Sequence, residues 1–147
     1  MAAIRGKNTS PEVLIRRALH ARGFRFRLHS KHLPGRPDIV LPKYRAVIFV
    51  HGCFWHGHDC PQFRWPATRA EFWQTKIEGN RERDRRQHDI LIAKDWRVAV
   101  VWECGLEGRA RRDIGEVIDS LAAWLSSGGQ QFLIEGNFRD GQSDAAS

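Results

Sequence analysis

Five apolar residues, Ala46-Val47-Ile48-Phe49-Val50, run directly into ten, His51-Gly-Cys-Phe-Trp-His-Gly-His-Asp-Cys60, that hold two of the chain's three cysteines and three of its seven histidines. The first segment is rich in β-branched residues and too short to be buried as a helix, which predicts a central strand covered on both faces. The second segment starts as that strand ends, the position at which open α/β sheets gather their ligand and active sites. Any fold for this chain must deliver a ligand-rich loop from the end of a middle strand.

The other elements follow from local signals. Ser10 as N-cap, Pro11 at the first helical position and the apolar spacing of Val13, Leu14, Ile15, Ala18 and Leu19 predict a helix over 10–22, stopped by Gly23. Phe24, Phe26 and Leu28 alternate with arginines, as in a short half-buried strand, and a turn at 33–37 leads into a second strand, 38–41. Thr68-Arg69-Ala70-Glu71 has the form of a capping box opening a long charged helix to about residue 93, interrupted near Gly79-Asn80. The stretch 98–102 repeats the buried-strand pattern, and 114–125 reads as a last amphipathic helix. Trp65, Trp96, Trp102 and Trp124 are assigned to the core. The reading is one α/β domain over 1–126, followed by a weakly ordered extension over 127–147 in which Gln131 to Ile134 form at most an edge strand.

Composition narrows the function. The chain has 147 residues, 41% of them hydrophobic, with a net charge of +7 carried mostly by arginine, whose planar fork matches phosphate oxygens. That balance favours a nucleic-acid partner. No apolar run reaches the roughly 18 residues of a membrane helix and no signal peptide is visible, which predicts a soluble cytoplasmic protein. An odd number of cysteines suits metal-bound thiolates in a reducing compartment better than disulfides.

Cys53, His58 and Cys60 have zinc-ligand chemistry, and Cys104 follows the strand 98–102. If that strand lies parallel to 46–50, Cys104 leaves the sheet at the same end as Cys53, and four ligands close a tetrahedral zinc site of the structural kind. A second constellation is weaker on spacing alone. Pro37-Asp38 opens one strand and Phe49-Val50-His51 closes the next, a layout like the Pro-Asp…(Asp/Glu)-x-Lys nucleases, where strand-edge groups hold magnesium. Here Phe49 stands in place of the second acid and His51 in place of the lysine.

Leu33-Pro-Gly-Arg-Pro-Asp38, Val47-Ile-Phe-Val-His-Gly-Cys-Phe-Trp-His56, Pro66-Ala-Thr-Arg69, Glu71-Phe-Trp73, Lys76-Ile77, Arg81-Glu-Arg-Asp-Arg-Arg86 and Val101-Trp-Glu-Cys104 together resemble the very short patch repair (Vsr) endonucleases. The resemblance implies a mixed sheet flanked by helices, similar to restriction endonucleases, with a structural zinc. It implies a magnesium-dependent, strand-specific enzyme of the bacterial cytoplasm and nucleoid, a monomer that nicks double-stranded DNA beside the thymine of a T·G mismatch near mismatch-repair proteins. Matched position by position, Asp38 corresponds to the magnesium carboxylate, the Val50 carbonyl to a second magnesium ligand and His56 to the base that activates water. His51, Glu12 and Asp84 correspond to supporting positions, and Cys53, His58, Cys60 and Cys104 to the zinc ligands. Phe54, Trp55 and Trp73 correspond to a wedge that unstacks DNA beside the mismatch.

Phosphodiester hydrolysis needs a cation to offset developing charge, a base near pH 7 and an acid that fixes the imidazole tautomer, roles assigned to Asp38, His56 and Glu12. Lys76, Arg81, Arg83, Arg85 and Arg86 offer phosphate contacts along the long helix. Two alternatives stand beside this reading: a restriction or phage-defence nuclease of the same fold that cuts matched duplex, and a zinc-stabilised DNA-binding module without catalysis.

Overall fold

The computed structural model describes residues 9–138. The pattern of apolar strands and amphipathic helices resolves into a five-stranded mixed sheet, with helices on both faces. Helix α1, Ser10–Ala21, buries Pro11, Glu12, Ile15 and Leu19. Strands β1 (Arg27–Leu28), β2 (Ile39–Leu41) and β3 (Ala46–His51) are antiparallel neighbours, and β3 continues the sheet through β4 (Arg97–Trp102) and β5 (Gln131–Ile134), both parallel. The parallel crossovers carry helix α2 (Ala70–Ala93) and helix α3 (Ile114–Ser127). Parallel strands need such long connections, and the helices cover the sheet as they return.

Alternation along the central strands divides the core. Ala46, Ile48, Ala99 and Val101 pack with Ile15 and Leu19 of α1 and Val117, Leu121 and Leu125 of α3. Val47, Phe49 and Val98 face the other way, onto Leu91 of α2. Since β3 and β4 are buried on both faces, their sequences read as unbroken apolar runs. Register places Val50 opposite Val101 and His51 opposite Trp102, so the loops after β3 and β4 leave the sheet side by side. No helix among the described residues is long and apolar enough to cross a membrane.

Several local expectations are corrected. Thr9, rather than Ser10, occupies the N-cap position of α1, and its side chain makes no capping bond. The expected strand over 24–28 shrinks to Arg27–Leu28, because Phe24 and Phe26 turn onto the α1 side of the core. At the start of α2 there is no capping box: Arg69 takes a left-handed φ of 54° and no side chain caps the helix. Helix α2 also runs unbroken through Gly79-Asn80, with Asn80 buried and its side-chain amide donating to the Trp55 carbonyl at 2.8 Å. Of the four tryptophans assigned to the core, only Trp124 is buried. Trp65 is 47% exposed on a loop, and Trp96 and Trp102 are half-buried.

The expected extension from 127 is folded over its described part. Gly128, with a φ of 85°, ends α3, and β5 then joins the sheet. Arg97 explains why this return is firm. Its half-buried guanidinium donates to the carbonyls of Gly129 at 2.7 Å, Leu125 at 3.0 Å and Trp124, tying the end of α3 to the start of β4. The remainder, 139–147, lies outside the described residues.

Candidate metal centre and active site

Four of the expected ligands meet. The donor atoms of Cys53, His58, Cys60 and Cys104 all lie within 4.8 Å of one another. Parallel pairing of β3 and β4 brings Cys104 beside Cys53, and a tight loop, with His58 N–H donating to the Cys53 carbonyl at 2.9 Å, folds the other two back. His58 Nδ1 lies 3.5 Å from the sulfurs of both Cys53 and Cys104. A tetrahedral metal bound at about 2.1–2.3 Å sets its ligand atoms about 3.6 Å apart, the length that the two edges from His58 to Cys53 and Cys104 already have. Three neighbouring sulfurs cannot all ionise easily without a cation. A hydrogen bond from Cys53 draws the Cys104 thiol down to about 6 against the opposing effect of burial, with the Gly136 N–H and His58 assisting. As the donor in that bond, and buried, Cys53 is pushed up.

The cage is supported from outside. His58 Nε2 is hydrogen-bonded at 2.8 Å to Glu135, its ring stacks on Trp102 with centroids 4.0 Å apart, and Gly136 N–H donates to Cys104 Sγ at 3.2 Å. A carboxylate on the remote imidazole nitrogen fixes which nitrogen faces the metal. Glu103, just after β4, accepts from the Cys53 N–H at 3.1 Å. Gly57, the loop's tightest point, has a φ of 60°, and a Cβ there would meet Arg81 Nε at 2.5 Å and Ile77 Cγ2 at 2.6 Å. Any side chain at 57 would push the loop off α2.

Beside the cage opens a cavity of about 1050 Å³ whose wall includes Glu12, Asp38, Val50, His51, His56 and Asp84, with Phe54 and Trp55 at the same site. None of the four cage ligands lines it. All five residues expected to carry or support the chemistry therefore share one space with Phe54 and Trp55 of the expected wedge, while Trp73 and the four cage ligands do not line it.

His56 Nδ1 is 2.6 Å from Asp84 Oδ2. The carboxylate accepts from Nδ1–H, which leaves the lone pair on Nε2, the arrangement a general base requires. The acid that fixes this tautomer is thus Asp84 on α2 and not Glu12, a correction to the assignment made from chemistry alone. His51 stacks on His56 with ring centroids 3.7 Å apart. Burial, reinforced by His56, His88 and His58, lowers the His51 pKa well below its usual value and keeps it neutral at pH 7. Its Nε2 is buried and has no hydrogen-bond partner among the described residues.

Glu12 sits elsewhere in the cavity, 1% exposed on the buried face of α1. It forms a second group with Asp38 and His29, all three donor atoms within 4.8 Å. Asp38 Oδ2 accepts from Val50 N–H at 2.7 Å, anchoring the carboxylate across the β2–β3 pair. Burial, opposed by that hydrogen bond and reinforced by Glu12, raises the Asp38 pKa to about 7. Two oxygen donors held near each other out of water could hold a hard divalent cation, whose charge would relieve the desolvation.

The aromatic side chains form one group. Phe54 and Trp55 meet edge to face at 5.2 Å, and Trp73 from α2 lies 5.4 Å from Phe54 and 5.9 Å from Trp55. All three remain partly exposed. The basic residues of α2 divide by use. Arg81 is a brace, donating through Nε to the Gly57 carbonyl at 2.8 Å, and Arg85 and Arg86 pair with Glu82. Arg83 faces the cavity, with Nη1 on Asn80 Oδ1 at 3.0 Å.

Two participants escape sequence reasoning. His29 is a single histidine in a basic stretch, yet continuing the β1–β2 register by one residue sets it opposite Asp38, a signal available once the hairpin is recognised. Glu135 carries no signal of its own and follows from β5 joining the sheet.

Comparison with known proteins agrees with this geometry. The family described as DNA mismatch endonuclease Vsr matches residues 1–62. The chain is 44% identical over 135 residues to the DNA mismatch endonuclease Vsr of Escherichia coli, covering 92% of this chain and 86% of that protein. It is 57% identical over 106 residues to a type II nicking enzyme of Xanthomonas oryzae pv. oryzae, covering 72% of this chain and 78% of the relative. A type II nicking enzyme of Neisseria meningitidis is 46% identical over 110 residues, covering 75% and 79%. With identity of this extent over nearly the whole length, the chain belongs to the Vsr family of DNA mismatch endonucleases.

Proposed function

We propose that the protein is a magnesium-dependent, strand-specific endonuclease that nicks duplex DNA beside the T of a T·G mismatch, on a restriction-endonuclease-like fold stabilised by a structural zinc. The observation that carries this reading is the single cavity lined by Asp38, the Asp84-fixed His56, Phe54 and Trp55, with Trp73 packed against the last two. Magnesium bound by the Asp38 carboxylate and the Val50 carbonyl supplies the positive charge that phosphodiester cleavage demands. His56 Nε2 takes the proton of the attacking water, and Asp84 steadies the imidazolium that results. Neutral His51, stacked on His56, fixes the plane of the base. Zinc in the Cys53–His58–Cys60–Cys104 cage is the scaffold: with four protein ligands it has no open position for substrate.

The wedge gives a reason for mismatch preference. Inserting Phe54, Trp55 and Trp73 between base pairs costs a few kcal/mol of stacking, and a poorly paired step costs less. Arg83, which lines the cavity, and Lys76 are the α2 cations that this reading assigns to phosphate, as Arg81 braces the loop and Arg85 and Arg86 are paired with Glu82. That three relatives carry names of a mismatch endonuclease and of nicking enzymes supports cutting of one strand rather than two.

Strand-labelled duplexes, T·G mismatched and fully paired, incubated with and without magnesium, test the reading. Nicking of the T strand alone, in the mismatched duplex and with metal, is the expected result. Equal cutting of paired duplex favours a restriction-like enzyme, and binding without cutting favours a DNA-binding module.

A further inference from the structure

Glu12 is a carboxylate placed on the core face of α1, in step with Ile15 and Leu19, where an apolar residue would ordinarily stand. Its position beside Asp38 sets two acidic groups near each other, which repel unless something holds them. His29 does this. Its Nε2 is hydrogen-bonded to Glu12 Oε2, an oxygen that Arg16 Nη1 also reaches at 3.2 Å.

The backbone at His29 points the same way. His29 has a left-handed φ of 49°, a conformation that residues with a Cβ seldom adopt. Its N–H donates to the Asp38 carbonyl at 3.0 Å, so the residue that grips Glu12 by its ring is tied to the Asp38 main chain by its backbone. Strain of this kind persists where surrounding contacts over-determine it, and it concentrates at functional sites.

We propose that His29 is a positioning residue for the cation seat, holding the Glu12 carboxylate in register with Asp38 so that the two act on one magnesium and its water. The inference rests on the proposed function, in which Asp38 binds that cation. What the position requires is an N–H donor at the reach of Nε2, and neither a charge nor a metal ligand. A glutamine supplies such a donor at similar reach. An asparagine tolerates the left-handed backbone but is too short to touch Glu12.

The test compares wild type, His29→Asn, His29→Gln and Asp38→Ala in two measurements. One is the single-turnover nicking rate of a T·G duplex across a magnesium titration. The other is calorimetric binding of magnesium to the zinc-loaded protein on a mismatched duplex with an uncleavable linkage. His29→Asn is expected to raise both the half-saturating magnesium and the magnesium dissociation constant about 10- to 100-fold, the usual effect of losing a partner of a metal-site residue. Metal-free DNA affinity stays at the wild-type value, and His29→Gln recovers most of the loss. Magnesium binding by His29→Asn at wild-type strength overturns the proposal, as does His29→Gln being as defective as His29→Asn, which would give the ring itself the role. Should His29→Asn fail to fold, His29→Gly, which relieves the backbone strain and also removes the donor, carries the same comparison. Absence of nicking by wild type, or full nicking by Asp38→Ala, counts against the functional reading, while the calorimetric arm still decides on His29.

Discussion

His56 and His58 are two residues apart, each has a carboxylate on one ring nitrogen, and they are held in opposite senses. Asp84 occupies Nδ1 of His56, so Nε2 is the free nitrogen, and Glu135 occupies Nε2 of His58, so Nδ1 faces the sulfurs. His58 is buried and stacked on Trp102, whereas His56 lines an open cavity and stacks on His51. One loop thus contains a histidine wired for a cage and another wired for a proton. The comparison teaches that which nitrogen an imidazole leaves available here follows from the one its carboxylate takes, and less from where the residue lies in the sequence.

Breaking the two regions separately should give separable losses. The largest effect on chemistry is expected for Asp38→Ala, which removes the carboxylate of the cation seat: a fall in nicking of about 10³-fold or more in single-turnover assays, with zinc content unchanged. On the cage side, Cys104→Ser is expected to lose zinc and lower the melting temperature by more than about 10 °C, because a structural metal's binding energy is folding energy. Next come the two carboxylates. Asp84→Asn should slow nicking about 10- to 100-fold with zinc retained, and Glu135→Gln should weaken zinc about 10- to 100-fold, measured by competition with a chelator, with full activity when zinc is saturating. A loss of zinc in Asp84→Asn would collapse the distinction between the two regions.

The smallest effect is a pH dependence. Burial holds the Asp38 proton up to about 7, and in the proposed function magnesium would have to displace it. The half-saturating magnesium concentration is therefore expected to rise about tenfold per pH unit as pH falls below 7 and to level off above it. A flat titration between pH 6 and 8 would place the cation elsewhere.

The strands after which both regions begin were legible because a strand buried on both faces is an unbroken apolar run, as at Val47–Val50 and Val98–Val101. The cage was legible too, since thiolate and imidazole are few and chemically distinctive, and parallel pairing was enough to bring Cys104 to Cys53. Partners contributed from a distance were harder. Asp84 meets His56 across 28 residues of sequence, and only the family resemblance pointed to it; chemistry alone had chosen Glu12. Glu135 lies in a stretch whose small polar residues read as an extension, and Arg97, an interior side chain bonded to main-chain carbonyls, is what folds that stretch back. The capping box at Thr68–Glu71 failed because Arg69 adopts a left-handed conformation there, and Arg81 read as a phosphate contact until its guanidinium was seen against Gly57.

The division of the loop is tested most directly by His56→Ala, assayed together for zinc content, melting temperature and T-strand nicking of a T·G duplex. The account predicts one zinc per chain, a wild-type melting temperature and nicking reduced about 10²- to 10⁴-fold, the range for removal of a general base. Loss of zinc or of stability, or nicking at the wild-type rate, would contradict it.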